Sequence, residues 1–162
     1  MSMKARISSF FARNRYYAVL GASNNPSKFG FKILNWYIQH DLPVIPINPR
    51  EKEILAQEVV ADLNEVIEAI KIKKNIGSHK LSTSDSLSIS FLTPPSVTKN
   101  TLEKLSEVEN YKDIIKGMWV QPGSYDAAVL DTAEKIGLMD RLVFQDECIL
   151  VRGDEGLYNA RL

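Results

Sequence analysis

Short β-branched or apolar runs alternate with longer amphipathic stretches along this chain. Tyr16–Ala22, "YYAVLGA", shows no polar alternation and reads as a strand buried on both faces. Pro26 and Ser27 then open a helix to about His40, with Ile33, Leu34, Tyr37 and Ile38 on its inner face. Leu42–Asn48, "LPVIPIN", predicts the next strand; Pro43 and Pro46 lack ladder donors and suit its start or a place where no bond is needed. "EILAQEVV" reads as a short strand or an irregular crossing segment. Asp62 is a good N-cap for "DLNEVIEAIK", with Glu65 placed to close a capping box. Lys71–Ser86, polar and serine-rich, reads as an exposed loop insertion.

Leu87–Pro95, "LSISFLTPP", predicts a third strand, after which Ser96 caps a helix to about Val108 with Val97, Leu102 and Leu105 available to the core. "IIKGMWVQPG" gives another strand, and Ser124 and Asp126 lead a helix through Ile136 that Gly137 stops. "RLVFQDECILVR" closes the series as a strand, a break and a hairpin or edge segment. Strands alternating with helices of this length predict βαβ units on a parallel sheet. Right-handed crossovers then give an α/β, doubly wound, mainly parallel Rossmann-like fold. We expect one domain over residues 1–162, with a first helix at about 2–13 and the insertion at about 71–86.

Composition narrows the function classes. Hydrophobic residues make up 44% and charged residues 25%, ordinary for a soluble globular protein. A formal net charge of zero argues against a nucleic-acid binder that relies on many phosphate contacts, though not against a local basic patch. No run approaches the roughly 18 apolar residues of a membrane helix. The single cysteine, Cys148, cannot form an internal disulfide, so the expectation is a reducing, cytoplasmic setting. The first residues, "MSMKARISSFFARNR", are basic and acid-free, which fits a mitochondrial targeting segment. The same residues also fit an amphipathic first helix with Ile7, Phe10 and Phe11 on one face.

In such a sheet, ligands bind beyond the carboxyl ends of the strands, where the strand order reverses. The first loop, "GASNNPSKFG", lies there. Gly21 permits a tight turn and close approach, Ser23 and Asn24 can donate hydrogen bonds, and the helix-start amides up to Gly30 favour an anion. Lys28 could add a cation. Where a common NAD site places an acid, the second strand offers Asn48, Pro49 and Arg50. Arg50 suits an extra ribose phosphate, as in NADP or coenzyme A; it is otherwise a solvated arginine in a turn. Thr93, Pro94 and Pro95 make a rigid apolar wall that could flank an adenine. Gln121 and Gly123 face the same crevice.

Candidates for catalysis are few. His40 and His79 belong to no spaced metal motif and read as structural or solvated. Cys148 reads as a small buried apolar residue ahead of a reactive thiol, and Trp119 as a strand-packing residue. No G-x-S-x-G elbow or Walker A lysine is present. We therefore assign no catalytic residue and no metal ligand.

Together, "VLGASNNPSKFG", "PVIPINPR", "SISFLTPP", "GMWVQPG" and "FQDEC" resemble the small, stand-alone CoA-binding domain proteins, relatives of the CoA-binding domain of the succinyl-CoA synthetase α subunit. The resemblance spans about residues 15–151. It implies coenzyme A or an acyl-CoA spread over the strand ends, with Gly21, Ala22, Ser23, Asn24, Lys28, Phe29 and Gly30 around the pyrophosphate. Asn48, Pro49 and Arg50 would then lie near the adenosine and its 3′-phosphate. Thr93, Pro94, Pro95, Gln121 and Gly123 match later blocks of the family, as does the D-x-C of Asp146 and Cys148. The insertion at Lys71–Ser86 departs from the family pattern. The synthetase's phosphorylated histidine belongs to another domain, so the resemblance does not carry ligase activity over. The expected role is non-catalytic: sensing, carrying or presenting the cofactor, with a protein partner left open. The alternatives are an NADP-dependent oxidoreductase, for which no Tyr-x-x-x-Lys pair is evident, and an interaction subunit with a vestigial nucleotide site.

Overall fold

A computed structural model describes residues 1–162. Five strands form one parallel sheet: β1 (Arg15–Leu20), β2 (Val44–Ile47), β5 (Ser86–Phe91), β6 (Ile115–Val120) and β7 (Leu142–Val143), in the order β2-β1-β5-β6-β7. Between β2 and β5 the chain makes a small antiparallel pair, β3 (Glu53–Ile54) with β4 (Gln57–Glu58). This is the doubly wound order in which the chain leaves β1 first to one side and then to the other. The switch point therefore lies between β1 and β5. Helices α1 (Met3–Phe10), α2 (Phe29–Gln39) and α7 (Ile149–Ala160) cover one face of the sheet. On the other face lie α3 (Leu63–Lys71), α4 (Pro95–Leu105), the single turn α5 (Tyr111–Ile114) and α6 (Ala127–Lys135).

The period of two in the strands sorts the core. Tyr16, Ala18 and Leu20 of β1 join the cluster under α3, α4 and α6, while Tyr17 and Val19 join the cluster under α1 and α2. The central strand β5 is split in the same way, with Leu87, Ile89 and Phe91 on the first side and Ser86, Ser88 and Ser90 on the second. All three serines are buried and all are paired. Ser86 accepts from Arg15 Nε at 3.1 Å, Ser88 donates to the Phe10 carbonyl at 2.6 Å, and Ser90 shares a 2.7 Å bond with the Tyr37 hydroxyl. Ser88 and Gly117 leave room for α1 to sit directly on the sheet, where Phe10 stands edge-on to Trp119 at 5.4 Å.

The last segment of the chain departs from the sequence reading; the first does not. The basic first segment is a helix whose Ile7 and Phe10, with Phe11 just after it, are buried. The final segment is not a hairpin or edge strand. After the two-residue β7 the chain forms the twelve-residue helix α7. Its glycines are what make it fit: a Cβ at Gly153 would come within 2.5 Å of the Trp36 ring, and one at Gly156 would strike Ile7. Glycines that let helices approach closely are poor helix formers, and they hide the helix from the sequence pattern.

The polar segment between α3 and β5 is also more built than its composition suggests. Leu81, in a short 3-10 turn (Leu81–Thr83), belongs to the main core. His79 is buried, with Nδ1 on the Tyr16 hydroxyl at 3.2 Å and Nε2 on the Glu58 carbonyl at 2.7 Å. His40 is likewise structural. It stacks on Trp36 at 4.1 Å and reaches Asp154 of α7 at 2.7 Å.

Candidate functional site

The strand register lines up the loops at the carboxyl edge of the sheet. Leu20 stands opposite Ile47 on one side and Phe91 on the other, and Phe91 stands opposite Val120. The next residues, Gly21, Asn48, Leu92 and Gln121, therefore form a row. Backbone bonds fasten most of that row: Gly21 N–H to Ile47 O (3.3 Å), Leu92 N–H to Leu20 O (2.9 Å) and Gln121 N–H to Phe91 O (3.2 Å). Two open clefts sit above it, side by side.

The first cleft, about 570 Å3, is formed by the loop after β1 and the start of α2, with Asn48 and Leu92 completing it. Gly21 adopts φ +91°, a region that favours glycine, and lies against the Leu92 backbone. Gly30 is required for a different reason. A Cβ there would collide with the Gly21 carbonyl oxygen, so only glycine lets α2 begin this close to the loop. The Phe29 and Gly30 amides donate to no acceptor within the protein, and no side chain caps α2. Free amides and the helix dipole favour an anion here. Lys28 is exposed and in no ion pair, and no carboxylate lines the cleft.

The rest of the loop organises itself. The Ser23 hydroxyl accepts from the Asn25 amide at 3.0 Å, and Asn25 Oδ1 accepts from the Ser27 amide at 3.0 Å. Asn24 Nδ2 donates to the Glu53 carbonyl at 3.1 Å, tying the loop to β3. Asn48 is spent in the same manner. Its Nδ2 donates to Ala22 O at 2.9 Å, while its Oδ1 accepts from the amides of Arg50 (2.8 Å) and Glu51 (3.0 Å). Asn48 and Asn24 therefore act mainly as braces. Pro49 and Arg50 stand exposed on the adjoining turn, outside the lining of either cleft, with Arg50 in no ion pair.

The second cleft, about 330 Å3, collects Thr93, Pro94, Pro95, Gln121 and Gly123, together with Pro122 and Ser124. Phe29 and Leu92 line both clefts, so the two are continuous along one ridge. Phe29 is 59% exposed although it is a large apolar side chain. The Thr93 hydroxyl is paired with that of Thr98 at 2.8 Å, and the Ser124 hydroxyl donates to Gln121 O at 2.7 Å. The remaining walls are mainly proline rings and aliphatic carbon.

The structure thus brings together Gly21, Ala22, Ser23, Lys28, Phe29, Gly30 and Asn48 in one cleft and the later blocks in the other. Leu92, which lines both clefts, is one residue that sequence reasoning passed over. Its signal is positional: it directly follows a strand whose end faces the switch point. Cys148 is half-buried rather than buried and forms the N-cap of α7. Trp119 is fully buried and donates to the Glu147 carbonyl at 2.7 Å, a packing and bracing role.

A parallel doubly wound sheet with unpaired helix-start amides beside its switch point defines a Rossmann-like domain. Within that class, the family model described as "CoA binding domain" matches residues 15–154, and the chain belongs to this family. Among solved structures, a conserved hypothetical protein from Pyrococcus furiosus is 27% identical, over 85% of this chain and 98% of that one, with a TM-score of 0.64. A hypothetical protein from Pyrococcus horikoshii OT3 is 18% identical over 97% of this chain and 93% of that one, with a TM-score of 0.70. A Thermus thermophilus protein is 20% identical over 96% and 99%, with a TM-score of 0.65. The latter two, at such identities, show the fold alone. No curated protein matches the chain significantly.

Proposed function

We propose that the protein binds coenzyme A, or an acyl-CoA, across the two clefts and works by carrying, sensing or presenting it rather than by transforming it. The observation that carries this reading is the continuity of an anion-favouring cleft with an apolar one along Phe29 and Leu92. A pyrophosphate would take the unpaired Phe29 and Gly30 amides, with Lys28 beside it. The adenosine would lie towards Asn48 and Pro49, and Arg50 would meet its 3′-phosphate. The pantetheine arm would then cross Phe29 into the second cleft, so the Thr93–Pro95 wall flanks the arm and not an adenine. That Ile7, Phe10 and Phe11 are buried supports reading the basic first segment as part of the fold, and with it a cytoplasmic setting.

A thermal-shift titration with CoA, dephospho-CoA, NADP, NAD and ATP tests the reading. A ligand at 100 times its dissociation constant adds about 2.7 kcal/mol of apparent stability. For a chain of this size that raises the melting temperature by roughly 5–10 °C. CoA is expected to do so and NAD is not. Stabilisation by NADP without CoA would overturn the proposal in favour of an oxidoreductase, and silence from every ligand would favour a vestigial site. Arg50→Ala should weaken CoA roughly tenfold while leaving dephospho-CoA unchanged, the loss expected for one charge-assisted contact.

A further inference from the structure

A cavity of about 720 Å3, larger than either cleft, lies at the amino edge of the sheet. It is enclosed by the turn between α1 and β1, the residues just before β2, those before β5 and the end of α7. Arg15 opens β1 and Gly21 follows its end, so the cavity and the first cleft stand about 20 Å apart along that strand. The volume falls within the roughly 300–1,000 Å3 of small-molecule sites.

The charge of this cavity is one-sided. Arg13, Arg15, Lys80 and Arg161 line it and no acidic side chain does, in a protein of zero formal net charge. None of the four is in an ion pair. Arg13, Lys80 and Arg161 are exposed, and alone they would be a solvated surface. Arg15 is different. It is half-buried, and burial pulls its pKa below the ordinary arginine value, as expected of a guanidinium stripped of water. Asp85 acts on it without forming an ion pair and does not line the cavity. Nε donates to the Ser86 hydroxyl at 3.1 Å, and Nη1 donates to the Ser9 and Phe10 carbonyls at the end of α1. Nη2 has no protein partner, and it is not sealed from solvent. Arg15 and Arg161 both act against the burial-driven rise of the Tyr17 phenol, so their charges converge on one locus. A partly desolvated cation without a counter-charge is costly, and a bound anion would offset that cost.

We propose that this cavity binds a small organic phosphate, its phosphoryl group held by Arg15 Nη2 and Arg161, with Arg13 and Lys80 around it. Converging charge suits a dianion on one centre better than a singly charged carboxylate, and guanidinium forks match phosphate oxygens. The volume exceeds what a bare phosphate ion fills and leaves room for a carbon body against Leu42 and Pro43. The site does not rest on the CoA reading, since it shares no lining residue with either cleft.

Nitrogen–proton NMR titration of the intact protein with phenyl phosphate, benzoate and inorganic phosphate, at matched ionic strength, tests this. Phenyl phosphate should shift the amides of Arg13–Tyr17 and Lys80–Ser84 and the Arg15 Nε–H. It should bind about fivefold or more tightly than benzoate, which has the same ring, and than inorganic phosphate, which has none. Arg13→Ser combined with Arg161→Ser alters two exposed side chains and should weaken phenyl phosphate about tenfold with the melting temperature kept. Arg15→Lys keeps the charge but not the fork, and it should weaken the ligand as well. Shifts confined to Gly21–Gly30, or none at tens of millimolar ligand, overturn the proposal. So does an affinity unmoved by the double substitution. Benzoate binding as tightly overturns the assignment to phosphate, and inorganic phosphate binding as tightly overturns the organic body.

Discussion

Two glycines frame the first loop for separate reasons, and the difference can be measured. Gly21 is held by its backbone conformation, Gly30 by lack of space. Alanine favours a helix over glycine by roughly 1 kcal/mol. Gly30→Ala is nevertheless expected to lower the melting temperature and to weaken CoA at least tenfold, because the new methyl must push α2 away from the Gly21 carbonyl. An unchanged affinity would show that the loop gives way without disturbing the amides. Asn48 separates bracing from binding. Asn48→Ala removes bonds that hold both loops, at about 1–3 kcal/mol. Asn48→Asp keeps the acceptor for Arg50 and Glu51 but loses the donor to Ala22 and sets a negative charge beside the proposed phosphate. It should recover stability more than affinity, read as melting temperature against a CoA titration. The spacing of these residues was visible in the chain. That Asn24 and Asn48 would spend their amides on Glu53 and Ala22 was not, since those carbonyls arrive from segments distant in sequence.

At the scale of elements, α1 is the sharpest case. Its Phe10 contacts the middle of the sheet, and deleting a buried aromatic side chain costs about 3–5 kcal/mol. Phe10→Ala should therefore lower the melting temperature by roughly 10 °C, with CoA affinity of the folded protein retained, as α1 lines neither cleft. A small shift would mean that α1 is loosely held. The alternation of apolar runs and amphipathic stretches was enough to foresee the parallel sheet and most of its helices. It failed where packing overrode pattern. In α7, Gly153 and Gly156 take inward positions beside Ile149 and Leu157 while Val151 and Tyr158 are exposed, which blurs the amphipathic stripe. In the polar stretch before β5, His79 is buried by contacts from β1 and β4 that no local window contains, and Leu81 joins the main core. The candidate site was more legible, because each of its blocks sits at the end of a strand that the sequence already marks.

Across the whole molecule, burial has set an alkaline limit. Burial pushes the Tyr37 phenol well above its ordinary value despite the Ser90 bond, and it raises Tyr17 and Tyr16 as well. A phenol that holds its proton more tightly folded than unfolded leaves stability intact below about pH 10, the unfolded value. Stability is then lost as pH rises further, because the unfolded chain ionises first. Melting temperatures followed by circular dichroism should fall steeply above about pH 10. Tyr37→Phe should start lower and decline less steeply; an unchanged slope would remove Tyr37 as the cause. The serines of β5 have a consequence of their own. They are small, paired and confined to one face, so sliding this strand by one residue would drive Leu87, Ile89 and Phe91 into the Phe10 carbonyl and the Tyr37 hydroxyl. β5 is the middle strand, hydrogen-bonded to β1 on one side and β6 on the other. Its serines thus act as a ruler, setting the heights at which Gly21 and Gln121 emerge and so levelling the floors of the two clefts for one continuous ligand.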